Sequence, residues 1–231
     1  VVGFGLAESS RLSFHARMVF AVAEENPFDF ILETRATKFP FAYDERERVA
    51  LGPFLEPDGS ERFRVLEWVR GLLGDLSQTR DTISLLAELN SAIHRTVAYE
   101  RRDDEGVQTA PETLERGAGS CRDMAELFVA ASRHLGLAAR FVSGYLFEPP
   151  PPDGSAAFNR AAGSMHAWAE VYLPGAGWKG FDPTNGILTD HHFLPSAVAN
   201  RPEWVSPVQG QYFHQGEAGS HLSVRLSVEK G

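Results

Sequence analysis

The chain has 231 residues, of which 43% are hydrophobic and 23% charged, a composition typical of a globular protein that folds in water. Its 22 Lys and Arg against 31 Asp and Glu give a net charge of −9, and with no basic stripe to neutralise phosphates we expect no nucleic-acid partner. No apolar stretch approaches the ~18 residues that cross a bilayer, and no basic leader opens the chain, so we expect a cytoplasmic protein without a membrane partner.

Near the N-terminus apolar residues alternate with mainly polar ones, at Leu12, Phe14, Ala16, Met18 and Phe20. Alternation with a period of two predicts a β-strand, and the apolar run over residues 28–33 predicts another. Pro40 and a mixed-charge segment interrupt this pattern. We therefore predict an N-terminal β region over residues 1–60.

Helical spacing follows. Residues 62–73 and 76–97 place apolar side chains three or four positions apart, which predicts two amphipathic helices. A polar connection over residues 99–109 leads to a glycine-rich turn, after which we predict a helix over 121–135 and a strand over 138–147. Gly136 suits the helix stop, because glycine adopts the left-handed conformation at the least cost.

The segment 148–163 is rich in Pro, Gly and Ala, which predicts a surface loop that shapes the entrance of a site and closes over it as a lid. The alternating residues 165–173, a short Gly/Pro turn and residues 178–182 predict a β-hairpin. We assign residues 61–200 to one core domain. Residues 201–231 form a C-terminal extension, in which alternation over 221–229 predicts a further strand.

Cys121 is the single cysteine, which excludes an internal disulfide and any multi-cysteine metal site. Ser120 and Asp123 form an S-x-x-D pattern that predicts a capping box, so the thiol lies in the first turn of the helix. The positive end of a helix favours a thiolate over a thiol. Helical spacing also places Cys121 at the end of an apolar stripe, so a buried structural cysteine stays an alternative.

His166 begins the first strand of the hairpin and Asp182 ends the second. A five-residue turn from Leu173 to Gly177 puts the two side chains on one face, whereas a four-residue turn from Pro174 puts them on opposite faces. The sequence leaves both registers open. In the first register a nucleophile at a helix N-terminus, a base and an orienting acid follow in the order Cys121, His166, Asp182, as in thiol acyl-transferases.

A tetrahedral intermediate also needs oxyanion donors. The backbone N–H of Cys121 is the first candidate, and Gln108, just ahead of the helix, is the second.

The segments GSCRDMAELFVAASRHLGLAARFVSGY and MHAWAEVYLPGAGWKGFDPTNG resemble the core of bacterial transglutaminase-like proteins. The resemblance implies an α+β, papain-like core with the nucleophile helix packed on an antiparallel sheet, preceded by a β domain that is truncated here. It implies that Cys121, His166 and Asp182 are catalytic, with no cofactor and no metal. The expected activity is acyl transfer through a thioester, with hydrolysis of peptide or amide bonds in a peptide or protein substrate favoured.

Three alternatives stay open. The thioester could pass to a lysine amine, which would make the chain a protein-glutamine transglutaminase. The fold could also bind peptides without catalysis. A zinc site from the three triad residues, with His191 and His192 nearby, is the alternative chemistry, although no H-E-x-x-H or paired cysteine supports it. The sequence does not indicate an oligomeric state.

Overall fold

A computed structural model describes residues 10–24, 26–57, 62–102, 105–147 and 164–206, with residues 213–214, 216, 219, 221 and 223–228. This part of the chain forms five α-helices: α1 (Glu45–Leu55), α2 (Arg62–Leu73), α3 (Thr82–Thr96), α4 (Ala110–Arg116) and α5 (Cys121–His134). Its strands are β1 (Lys38–Phe39), β2 (Arg80–Asp81), β3 (Ala98–Tyr99), β4 (Ala118–Gly119), β5 (Ala139–Leu146), β6 (Ser164–Leu173), β7 (Gly177–Asp182), β8 (Ile187–Leu188) and β9 (Phe193–Ala199). Short 3₁₀ helices cover Thr34–Ala36 and Pro202–Val205.

The main sheet has five antiparallel strands in the order β8-β7-β6-β5-β9. Helix α5 packs across β5 and β6, and α2 and α3 pack on α5. Phe128 of α5 stacks on Phe181 of β7 with ring centroids 5.3 Å apart, and both side chains are fully buried. The predicted α+β fold, with α5 packed on an antiparallel sheet, is confirmed.

The structure has α2 over the predicted residues and α3 later than predicted, because Asp81 caps α3 by accepting a hydrogen bond from the Ser84 backbone N–H at 3.0 Å. Helix α5 ends at His134, and Gly136 follows with a φ of 76°. The prediction missed α1 and α4. Both begin with capping boxes, Asp44 with Glu47 and Thr109 with Glu112, so the signal was present in the sequence.

The predicted N-terminal strands are wrong. Residues 10–24 and 26–33 contain no strand, and Leu12, Phe14 and Met18 are 59%, 58% and 49% exposed. A strand needs a neighbour to pair its backbone N–H and C=O groups, and the described residues place none beside this segment. The end of the segment is attached to the sheet, where the Glu33 N–H donates to the Pro174 carbonyl at the tip of the β6–β7 hairpin.

The predicted C-terminal strand is also absent among residues 221 and 223–228, for the same reason, since no neighbouring strand accompanies them. The predicted lid over residues 148–163 lies outside the described residues. The domain boundaries near residues 60 and 200 stay predictions. None of the helices in the described ranges combines the length and apolarity that a membrane crossing needs.

Candidate active site

Cys121 is the first residue of α5 and is half-buried. Its side chain packs beside Ala125 and Ala167, which line a small cluster between the helix and the sheet. Ser120 donates its backbone N–H and its hydroxyl to the Asp123 carboxylate, each at 2.8 Å, so the predicted S-x-x-D cap forms. The thiol therefore lies where the unpaired N–H groups of the helix point.

His166 lies on β6 with only 2% of its surface exposed. Its Nε2 atom is 3.0 Å from Oδ2 of Asp182. Trp168 stacks beside the imidazole with centroids 6.3 Å apart, and the Phe193 ring lies 5.9 Å away. These two aromatic contacts hold the His166 imidazole in one orientation.

The hairpin register decides whether the acid reaches the base. Leu173 pairs with Gly177, and Ala169 pairs with Phe181. In this register Asp182 lies diagonally across from His166 on the same face of the sheet. The structure therefore adopts the first of the two registers that the sequence left open.

Asp182 is fully buried and is held by its own turn. The Thr184 N–H donates to Oδ1 at 2.9 Å, and the Asn185 amide donates to Oδ2 at 2.6 Å. Helix α3 supports this turn from outside, because Nδ1 of His94 donates to the Thr184 carbonyl at 2.9 Å. Sequence reasoning missed Thr184 and Asn185, although the D-P-T-N run places both polar groups within three residues of the acid.

The electrostatics of His166 follow from this arrangement. Burial on its own lowers the pKa of His166, but the charge and hydrogen bond of Asp182, together with the Cys121 thiol, outweigh it and raise that pKa to about 10. Since Asp182 occupies Nε2, Nδ1 is the nitrogen available to the thiol. The site thus favours an imidazolium between two acidic groups.

Known proteins match much of this chain in sequence. Residues 71–183 match the model of the "Transglutaminase-like superfamily". The uncharacterized protein Rv2569c of Mycobacterium tuberculosis is 32% identical over 153 residues, which cover 64% of this chain and 48% of the relative. The uncharacterized protein YebA of Bacillus subtilis is 25% identical over 175 residues, covering 74% of this chain and 22% of YebA. The chain thus spans about half the length of the first of these relatives and less of the second.

Over residues 71–183 the chain is similar to the transglutaminase-like superfamily. Among solved structures, the "Putative Cysteine Protease" from Cytophaga hutchinsonii superposes with a TM-score of 0.55 at 24% identity, over 71% of this chain and 50% of that one. That likeness concerns the fold.

Gln108 is 6% exposed and contacts the first turn of α5. Its backbone N–H donates to Oδ1 of Asp123 at 2.7 Å, and its amide nitrogen lies 3.3 Å from Oδ2. These contacts direct Gln108 toward the helix cap. Its role as an oxyanion donor stays a prediction.

A separate cluster of metal-ligand side chains follows β8. Ligand atoms of Asp190, His191 and His192 lie within 4.8 Å of one another, and this group does not include Cys121 or His166. Nδ1 of His192 is 3.0 Å from the Asp190 carboxylate, which orients the ring. Among the described residues, the alternative zinc site built on the triad together with His191 and His192 does not form.

Proposed function

We propose that this transglutaminase-like core catalyses acyl transfer through a thioester on Cys121 and that it hydrolyses peptide or amide bonds. The supporting observation is the position of His166, a buried imidazole whose Nε2 contacts the Asp182 carboxylate and whose pKa is raised by that carboxylate and by the Cys121 thiol, which lies at a helix N-terminus.

In the first half-reaction the Cys121 thiolate attacks the carbonyl carbon of a peptide or amide. The oxyanion that forms accepts a hydrogen bond from the Cys121 backbone N–H, which points out of the helix end. The His166 imidazolium then gives its proton to the leaving amine, the C–N bond breaks, and the thioester remains.

In the second half-reaction His166 is neutral and takes a proton from water, whose oxygen attacks the thioester. The carboxylic acid leaves, the sulfur departs as a thiolate, and the imidazolium is restored. Throughout, Asp182 keeps Nε2–H directed at itself, so Nδ1 carries every proton that moves.

The first experiment measures the rate of Cys121 modification by iodoacetamide from acid to mildly alkaline pH. We expect wild type to react at a rate that levels off well below pH ~8.5, the pKa of a free thiol. His166→Ala should abolish that plateau, and His221→Ala, which removes an exposed histidine, should keep it. An ordinary alkaline rise in wild type, indifferent to His166, would reject the triad and favour a peptide-binding module.

A second experiment separates hydrolysis from cross-linking. Peptide and protein substrates are incubated with and without a fluorescent primary amine, and cleavage is followed alongside incorporation of the amine. Cleavage that needs Cys121 and proceeds without the amine supports hydrolysis. Incorporation that competes with cleavage would instead assign the chain to the transferases.

A further inference from the structure

A buried carboxylate stands two residues after the nucleophile. Asp123 is 0% exposed, and Nη1 of Arg102 donates to both of its oxygens at 2.7 and 2.8 Å. Ser120 and Gln108 supply the other hydrogen bonds already described. One carboxylate therefore joins residues that lie 21, 15 and 3 positions before it in the sequence.

The contacts surround the nucleophile on both sides. Ser120, before Cys121, donates to Asp123, and Arg122, after it, donates to the backbone carbonyl of Arg102 at 3.1 Å. Both sequence neighbours of Cys121 are therefore hydrogen-bonded to the Arg102–Asp123 pair.

The packing at Gly119 is independent evidence that the backbone lies very close to Asp123. A Cβ atom on Gly119 would lie 2.9 Å from the Cβ of Asp123 and 3.2 Å from its Oδ2. The backbone just before the nucleophile therefore approaches the carboxylate more closely than a side chain would permit.

The charges explain why Arg102 is needed. Burial, the largest single influence, raises the pKa of Asp123, but the hydrogen bonds from Arg102, Ser120 and Gln108 outweigh it and leave that pKa below its ordinary value. Asp123 is therefore an anion near a thiolate, which on its own would oppose the field of the helix end. The Arg102 guanidinium, whose side chain is 13% exposed, cancels that charge.

We propose that Arg102 and Asp123 are a positioning pair for Cys121: the carboxylate holds Ser120 before the thiol, the Arg102 backbone carbonyl holds the Arg122 side chain after it, and the Arg102 guanidinium neutralises the carboxylate so that the helix N-terminus can favour the thiolate. This inference rests on the proposed function, because it concerns the reactivity of the same thiol. It adds two residues that do not touch substrate.

The test compares the pH midpoint of iodoacetamide modification among variants of the full chain. Arg102→Met leaves the Asp123 anion uncompensated, and we expect the midpoint to rise by about one pH unit and the rate at pH 7 to fall about tenfold. Arg102→Lys retains the charge and should restore most of that rate. Asp123→Asn removes the negative charge near the thiol while Arg102 keeps its positive charge, so its midpoint should move the opposite way, to lower pH.

The opposite signs separate electrostatics from damage to the fold, since disruption of the cap would move both midpoints in one direction. Arg64→Met is the matched control: Arg64 pairs with Glu115 at 2.8 Å on an exposed surface, and its loss should leave the midpoint unchanged. Thermal unfolding of each variant verifies that it is folded. Shifts of equal sign, or none, in folded variants would overturn the pairing role.

The proposed function is judged separately, by the dependence of the wild-type plateau on His166. If that dependence is absent, the proposed function fails even where the two variants shift in opposite directions. If the dependence is present and the variants do not shift, the positioning role fails alone.

Discussion

Strand β6 and the N-terminal segment 10–24 carry similar sequence patterns, yet they differ in structure. Both alternate apolar with other residues, but β6 pairs with β5 and β7, and its Leu173 is fully buried. In the N-terminal segment Leu12 is 59% exposed and no strand forms. An alternating sequence therefore indicates which side chains a strand could bury. Whether the strand forms depends on neighbouring strands that pair with it.

The sharpest test of this contrast makes the same substitution in both regions. Leu173→Ala removes a packed side chain from the core and should lower the free energy of unfolding by about 2–5 kcal/mol. Leu12→Ala should change it by less than about 0.5 kcal/mol. Urea denaturation measures both, and comparable losses would show that the N-terminal segment is packed after all.

If the proposed function holds, substitutions in the hairpin that carries His166 and Asp182 should change the reactivity of Cys121. Asp182→Asn removes the charge that raises the His166 pKa, and the rate of Cys121 alkylation at neutral pH should fall about 10²-fold. Asp190→Asn, which alters a carboxylate outside the triad, is the control and should retain the wild-type rate. A rate within a factor of three of wild type in Asp182→Asn would show that the charge on the acid is dispensable.

The buried imidazole also predicts how stability depends on pH. Because the folded pKa of His166, about 10, is above the ordinary value of 6.5, its contribution is fully present below pH 6.5 and is lost as pH rises toward 10. The stability advantage of wild type over His166→Gln should therefore shrink across this window, by on the order of 5 kcal/mol. Denaturant midpoints at pH 6, 8 and 10 measure it, and an advantage that grows with pH would contradict the assignment.

Substitutions of two glycines, one in the sheet and one in a helix, should have smaller effects on stability. A Cβ on Gly144, opposite His166 on β5, would lie 2.2 Å from the Leu194 carbonyl oxygen and 2.7 Å from the Trp168 ring. Gly144→Ala should therefore destabilise by about 1–3 kcal/mol.

Gly71 in α2 has nothing within 4 Å of the same position, and Gly71→Ala should stabilise by about 0.5–1 kcal/mol. Thermal unfolding would register the two changes with opposite signs. The same sign for both would show that the close approach at Gly144 is relieved by movement of the neighbouring strand.

Local signals in the sequence predicted much of the site. Cys121 follows a capping residue and Asp182 precedes a proline that ends its strand, so both positions could be placed from their immediate neighbours. The register of the hairpin could not, because turns that differ by one residue reverse the face of every side chain. Arg102 could not be predicted either, since it reaches Asp123 from a connection without periodicity, 21 residues earlier.

The three hydrogen bonds to Asp182 have a consequence for the protons at the site. A carboxylate has about four acceptor positions, and N–H groups of Thr184, Asn185 and His166 fill three of them. Asp182 is thereby prevented from turning toward the sulfur or serving as a temporary proton store. In the proposed mechanism protons therefore move only through the other nitrogen of His166, and the proton given to the leaving amine is replaced, within the same turnover, by one taken from water.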